Sequence, residues 1–392
     1  MKILYVSGED PRDTSFGSPQ RNNRLWRALQ EIGEVYAICL YPKEGKISDR
    51  LIAVKPVDRN KGWKRLANKV VNKFWFMLFP NARKYYPFAF EFSLDIKKGF
   101  ALPSSFTFDI VVSRYIDPAV TFHLWDIAPL YVDIDDHPIQ TLETRDKYEY
   151  PSWKRPLLSF LQKTIFHIVE RNMAGGWIAN PEQTSLVKAK NPILPLKNIP
   201  QYPSERYSPE SDRESYIFSV GFMSYSPNYL GVDKFINEVW QSVHLKYPTL
   251  TYKIAGKGAP VEYVEKWNRI PGVEYLGFVD DLEHLYENAL ATVVAVDAGG
   301  GTCIKTLESL VFSRICLSRP FGVRGYEQEA NKGTCGLFVY NSYDDFVTLL
   351  ENVVLEPSVR YENEKKARSF VTQSFSEQSF FEEVKNAFAP LK

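Results

Sequence analysis

The chain has 392 residues, 44% of them hydrophobic and 24% charged, with a formal net charge of +1. That length asks for two domains rather than one core, the composition is that of an ordinary soluble globular protein, and the charge balance gives no case for nucleic acid as a partner. The four cysteines, Cys39, Cys303, Cys316 and Cys335, show no CxxC pairing, so neither a zinc site nor a disulfide framework is indicated.

Residues 2–7 read as a buried strand, too short and unflanked for a signal peptide. No run approaches the roughly 18 apolar residues of a membrane span, so the expectation is a cytoplasmic protein. After a loop, residues 22–32 look helical and end at Gly33. Strands are predicted over 35–40, 109–113 and 130–133, then a long helix over 152–172 with Leu157, Leu158, Leu161 and Ile165 on one side, then a strand over 176–179. Residues 195–214 are rich in proline and charge and read as a domain boundary.

Beyond it the alternation restarts. Strands are predicted over 215–220, 250–255, 273–276, 291–296, 315–318 and 336–339, with helices over 230–246, 260–268, 282–288, 342–355 and 360–369. This is an α/β chain with parallel sheets, in which two doubly wound domains of similar size face a cleft lined by strand ends. The expected division is 1–200, 201–370, and a C-terminal helix over 371–392 packing back towards the first domain.

The stretch from Ala298 to Glu308 carries the most chemistry. Three glycines follow an apolar strand and precede a strong helical pattern, which aims the unpaired N–H groups of a helix start at one spot and favours an anion there. Ile304, Leu307 and Val311 repeat at helical spacing and should face the core, while Thr302, Lys305 and Glu308 lie three apart along another face. Hydroxyl, ammonium and carboxylate in that order suit a diphosphate and the ribose attached to it. The same spacing also fits a tight turn followed by a Lys–Glu surface pair.

Four segments in register resemble the nucleotide-sugar domain of the GT-B glycosyltransferases of group 1. Gly221–Asn228 is similar to a GxMxYxPN turn, Ile254–Gly258 to a strand ending in AGxG, Val273–Asp281 to a segment that contacts the base, and Gly299–Glu308 to the donor loop. The first half matches loosely, through residues 15–24 and Asn198. The resemblance implies ribose hydroxyls on Glu308 and diphosphate contacts from Thr302 and Lys305. It also places Gly17, Tyr225, Asn228, Gly300 and Gly301 on the donor side, and pairs the backbone of Phe278 with the nucleobase. The chain departs from the pattern at Gly300, where relatives carry a second glutamate, at Phe222 and Met223, where they carry an arginine, and at Cys303, often arginine. Lys257, Arg21 and Arg324 are the nearest replacement cations.

The implied activity transfers a sugar from a nucleotide-diphosphate sugar to a glycan, lipid-linked or other hydroxyl acceptor, with retention, no metal and no cofactor, in polysaccharide or glycoconjugate biosynthesis. Lys305 would stabilise the leaving diphosphate. At the end of the 130–133 strand, Asp135, Asp136 and His137 can position or deprotonate an acceptor hydroxyl; Asp136 can equally cap the following helix, and Asp133 with Asp135 also spells the short metal motif DxD. Residues 61–86 are basic with large apolar side chains, among them Lys64, Arg65, Lys69 and Lys73, and fit either a core helix or one lying on an anionic membrane surface. Binding of a sugar nucleotide without turnover, and epimerisation of one, are the alternatives to transfer.

Overall fold

The computed structural model describes residues 1–14, 17–41, 50–53, 57–58, 70, 92–93, 96–144, 151–205, 207–208, 213–300 and 302–388. The basic segment 61–86, apart from Val70, therefore lies outside the described residues. Two compact units emerge. The first comprises Met1–Gln140, Ser152–Lys197 and the chain from Glu377 on; the second comprises Asn198–Ser376 with a short piece from Thr141–Pro151.

The first unit is built on a seven-stranded parallel sheet in the order β3-β2-β1-β6-β7-β8-β9. Its strands are β1 (Lys2–Glu9), β2 (Glu34–Tyr41), β3 (Leu51–Ala53), β6 (Ile110–Arg114), β7 (Leu130–Asp135), β8 (Met173–Ile178) and β9 (Ile193–Pro195). A separate two-stranded antiparallel pair joins β4 (Val57–Asp58) to β5 (Phe92–Ser93). Ile3, Leu4, Tyr5 and Val6 of β1 and Val111 and Val112 of β6 have no exposed surface. Near-continuous apolar strands of this kind are what a parallel sheet covered on both faces requires.

Helix α1 (Gly17–Ile32) follows β1 and begins five residues earlier than its apolar periodicity suggests. Pro19 sits in its first turn, where a missing N–H costs nothing, so Gly17 opens the helix instead of lying in a loop. Helix α2 (Arg155–Asn172) buries Leu158, Leu161, Ile165 and Phe166. Leu157 does not join them: it is 43% exposed on the outer side. A leucine beside a buried leucine lies about 100° around the helix, and that rotation takes it off the core stripe.

The second unit has a six-stranded parallel sheet in the order β12-β11-β10-β13-β14-β15. These strands are β10 (Tyr216–Val220), β11 (Thr251–Ala255), β12 (Val273–Gly277), β13 (Ala291–Val294), β14 (Ile315–Ser318) and β15 (Leu337–Val339). Helix α3 (Ser226–Phe235) runs on through a π-helical turn at Ile236–Trp240 to Lys246. Helix α4 (Ile304–Val311) follows the glycine turn, with Leu307 and Val311 buried and Ile304 only partly so. The long α5 (Pro357–Ser374) leads to α6 (Glu377–Asn386), which belongs to the first unit. There Glu377 pairs with Arg27 of α1, and Phe388 packs edge-on to Tyr131 and Trp177. No helix among the described residues is long and apolar enough to cross a membrane.

Candidate functional site

In each sheet the strand order changes direction beside the first strand, between β1 and β6 and between β10 and β13. Chain leaves the two neighbouring strands on opposite faces there, and open α/β sheets bind ligands in the crevice so formed at the strands' carboxyl ends. Both units place their chemistry-bearing residues at that point.

In the second unit the crevice is made by glycine turns and the start of α4. After β10, Gly221 N donates to Ala255 O at 3.1 Å and Met223 N to Lys257 O at 3.0 Å, which stitches this turn to the one after β11. Gly256 makes the close approach possible. Its φ is +136°, and a Cβ there would lie 1.7 Å from the Gly221 carbonyl oxygen. After β13, Gly299 has φ +138°, with the Tyr225 hydroxyl 3.4 Å from the position a Cβ would take.

No side chain caps the start of α4, because Cys303 holds the cap position without accepting a hydrogen bond. Of its first-turn N–H groups, that of Thr306 donates to Cys303 O at 3.0 Å, and those of Ile304 and Lys305 are the ones placed for an anion, with the positive end of the helix dipole behind them. Lys305 is in that turn, half-buried, and its Nζ donates to Asn228 Oδ1 at 2.6 Å. Asn228 is in turn fixed from two sides: its Nδ2 donates to Phe222 O at 2.8 Å and its backbone N to Tyr225 O at 2.9 Å. The result holds the ammonium over Gly221, where a Cβ would come within 3.2 Å of Nζ. Thr302 Oγ1 accepts from Asn198 Nδ2 at 3.0 Å. Glu308 is half-buried one turn deeper along α4, on the face that carries Lys305. Lys257 Nζ lies 5.6 Å from the ring centroid of Phe278, which is 66% exposed just past β12. Arg324 stacks over the Phe321 ring at 3.8 Å, and that ring flanks Gly299. Gly300 is half-buried; Gly301 lies outside the described residues.

Thus Lys305, Asn228, Tyr225, Thr302 and the Gly299–Gly300 turn are brought together, with Lys257 and Phe278 paired at the neighbouring strand end. Asn228 emerges as the group that holds the lysine, a role its position in the turn does not reveal.

In the first unit the crevice contains a buried charge network. Asp133, without exposed surface, accepts from Arg21 Nε at 3.0 Å and Nη2 at 2.7 Å and from Arg114 Nη1 at 2.8 Å. Arg114 Nη2 donates to Asp135 Oδ2 at 2.8 Å and to the Tyr115 hydroxyl at 2.9 Å. Ser18 Oγ donates to the Glu9 carboxylate at 2.9 Å and so accepts from the Tyr115 hydroxyl at 2.5 Å. Burial works against the charge of both arginines, and their carboxylate and tyrosine partners more than offset it, so both guanidinium pKa values lie above the ordinary value. Burial also raises the Tyr115 phenol against the pull of Arg114, so this hydroxyl stays protonated at physiological pH. Tyr115 and Asp135 have φ of 69° and 61°, conformations that non-glycine residues seldom adopt.

Two expectations change here. Arg21 is no donor-binding cation: it is 2% exposed, and its guanidinium is spent on Asp133 and on the Leu196 carbonyl at 2.7 Å. His137 is buried edge-on against Phe166 at 5.1 Å, a core packing position. Asp133 and Asp135 are turned onto the guanidiniums of Arg21 and Arg114. Asp136, half-buried, follows the strand, with its N donating to Ile134 O at 2.8 Å. Glu9, Ser18, Arg114 and Tyr115 escape sequence reasoning, although an arginine closing the apolar run Ile110–Arg114 is a charge that must be paired when buried.

The family model described as glycosyl transferases group 1 matches residues 214–354. Compared by sequence with curated proteins, the chain matches none. Solved structures match it over its whole length. A mutant of S. aureus TarM in complex with fondaparinux, alpha-GlcNAc-glycerol and UDP is 12% identical, with a TM-score of 0.63 over 99% of this chain and 100% of that one. Anabaena Alr3699/HepE in complex with UDP and glucose is 10% identical, with a TM-score of 0.64 over 99% of each chain. WaaG, a glycosyltransferase involved in lipopolysaccharide biosynthesis, is 12% identical, with a TM-score of 0.60 over 99% of this chain and 100% of that one. At such identities the likeness carries the fold alone, the GT-B arrangement of two doubly wound units, and the match to the group 1 glycosyl transferase model is a match of residues 214–354, most of the second unit.

Proposed function

We propose that the chain moves a sugar from a nucleoside-diphosphate sugar to a hydroxyl of a glycan or lipid-linked acceptor, with retention of anomeric configuration and without a metal or cofactor. The observation that carries this reading is the fixed ammonium of Lys305 beside the uncapped start of α4. Breaking the bond from the anomeric carbon to the phosphate oxygen leaves positive charge on the sugar and adds negative charge to the diphosphate. A cation and N–H dipoles already in place stabilise that charge without rearranging. Thr302 serves the diphosphate in this reading, and Glu308 accepts from the ribose hydroxyls. Departure on the face from which the acceptor attacks gives retention.

On the acceptor side, Asp135 is the positioning group. Its Oδ2 is held by Arg114, which leaves it suited to orient a hydroxyl rather than to take its proton outright. Asp136 is the second candidate at the same strand end. UDP is the first nucleotide to test, since HepE and TarM are described with it, and the fondaparinux and alpha-GlcNAc-glycerol described with TarM favour a carbohydrate acceptor. WaaG, described as involved in lipopolysaccharide biosynthesis, favours a place in glycoconjugate assembly, and the basic, aromatic composition of residues 61–86 favours peripheral contact with an anionic membrane.

The test is a thermal-shift series with nucleoside diphosphates, followed by UDP release from UDP-sugars with and without EDTA. Nuclear magnetic resonance of the product then reads its anomeric configuration. A ligand at about 100 times its Kd stabilises the native state by about 2.7 kcal/mol, which such a series detects. A chain that no nucleoside diphosphate stabilises would remove the reading, and loss of turnover in EDTA would remove its metal-free part.

A further inference from the structure

Helix α2 is apolar on two sides. Its inner side buries Leu158, Leu161, Ile165, Phe166 and Val169, which is all that the first unit's core asks of it. Its outer side carries a second stripe. Trp153, just ahead of the helix, is 67% exposed, and Leu157, Phe160 and Ile168 are 43%, 65% and 38% exposed. Spaced by three and eight residues, Leu157, Phe160 and Ile168 fall on one side of the helix, and Trp153 stands in the turn ahead of it. Thr164, between them, donates its hydroxyl to Phe160 O at 2.8 Å and so bonds to its own helix. Clustered large apolar side chains facing water call for a partner.

The charges beside the stripe say which. Lys154, Arg155, Lys163 and Arg171 stand against the single carboxylate of Glu170, which is itself turned towards His167 at 3.7 Å. At the carboxyl end of the helix the Lys188 backbone N donates to the same Glu170 at 2.8 Å, and Leu186, two residues before it, is 46% exposed. Lys154 Nζ sits 5.1 Å from the Trp153 ring centroid, an aromatic and a cation at the same level.

We propose that the outer side of α2 docks on an anionic lipid surface, with Trp153, Leu157, Phe160 and Ile168 in the interface and the flanking lysines and arginines among the headgroups. A stripe of Trp, Leu, Phe and Ile bordered by cations is what an interfacial helix needs. The inference deepens the peripheral membrane contact proposed above but rests on different residues, so the two can fail separately.

The test is co-sedimentation of the full chain with vesicles of phosphatidylcholine alone or mixed with phosphatidylglycerol. The wild type should partition onto the anionic vesicles and release as salt rises. Phe160→Ser with Ile168→Ser, both exposed and outside the core, should lower the partition coefficient at least about tenfold with circular dichroism unchanged. Lys163→Gln with Arg171→Gln should lower it roughly thirtyfold at low salt, from about 1 kcal/mol for each basic residue. Glutamine at Lys64, Arg65, Lys69 and Lys73 is the parallel arm. If that variant alone loses binding and the α2 variants bind as the wild type does, the α2 assignment falls and the 61–86 reading stands. Wild type that stays in the supernatant overturns both. A concentration-dependent dimer, abolished by Phe160→Ser with Ile168→Ser in sedimentation equilibrium, would make this side a contact between two copies and overturn the lipid assignment.

Discussion

Removing the side chain of Asn228 should disable Lys305 without touching the lysine. The 2.6 Å bond from Nζ to Oδ1 is the contact that holds the ammonium over Gly221, and Asn228 is itself fixed by the Phe222 and Tyr225 backbones. A hydrogen bond to a charged group contributes about 1.5–3 kcal/mol, and each 1.36 kcal/mol is a factor of ten in rate. Asn228→Ala should therefore lower kcat/KM for the donor by roughly tenfold to a hundredfold. Lys305→Ala should lower it further and act mainly on kcat, because charge on the diphosphate grows towards the transition state. The decisive measurement is the double variant. If asparagine acts through lysine, Asn228→Ala adds almost nothing once Lys305 is alanine, and the cycle shows a coupling of 1 kcal/mol or more by the usual scale for contacting residues. Losses that multiply in the double variant would refute the reasoning and give Asn228 a contact of its own with the substrate.

Glu308→Ala should weaken UDP binding by about tenfold or more, read by titration calorimetry, since the ribose hydroxyls would lose a charged acceptor. Unchanged affinity in a folded variant takes Glu308 out of the site. Asp133→Asn should destabilise the first unit by about 3–5 kcal/mol, because two buried guanidiniums lose their shared carboxylate. The corresponding fall in melting temperature is on the order of 10 °C by differential scanning calorimetry. Asp297 gives a pH prediction. Burial alone would raise its pKa, but hydrogen bonds from Lys234 at 2.6 Å and Arg319 at 3.1 Å outweigh that and hold it below the ordinary value. A depressed carboxyl contributes stability above its unfolded pKa and loses it as pH falls through the folded one. Asp297→Asn should thus melt below wild type at pH 7, and the gap should close below about pH 4.

Five of the seven strands of the first sheet and all six of the second are legible because a parallel strand buried on both faces is a run of apolar residues, whereas the edge strands β3 and β9, three residues each, are too short to leave such a run. The donor loop is legible for a related reason: backbone conformations such as φ +138° at Gly299 select glycine, so turn chemistry leaves a mark in the sequence. What stayed hidden is long-range pairing. Arg21 and Asp133 are 112 residues apart in the chain, and Ser18 and Tyr115 are 97 apart. An arginine after a loop carries no sign that its charge will be cancelled inside the fold, so it passes for a substrate-binding cation. The start of α1 is hidden because Gly17-Ser18-Pro19 reads as a loop until the first-turn tolerance of proline is applied. Leu157 reads as sharing a side with Leu158, Leu161 and Ile165, and only the rotation of α2 shows that it faces out.

The buried network in the first unit is poorly explained as a source of stability. Two arginines and an aspartate with at most 2% of their surface exposed lose more hydration than ion pairing reliably returns, and packed apolar side chains of similar volume would serve a core as well or better. Tyr115 and Asp135 add backbone strain to that cost, and strained residues persist where the surroundings force them and function uses them. Arg114 joins both facts, since one of its nitrogens holds the Tyr115 hydroxyl and the Asp135 carboxylate together. The strained pair sits at the carboxyl ends of β6 and β7, beside the point where the sheet changes direction. A neutral hydroxyl, a carboxylate held between Arg114 at 2.8 Å and Arg21 at 3.6 Å, and the half-buried Glu9 and Ser18 beside them make a rigid, polar, hydrogen-bonding surface. Such a surface is suited to the hydroxyl groups of a carbohydrate, and a core built only for stability would not contain it.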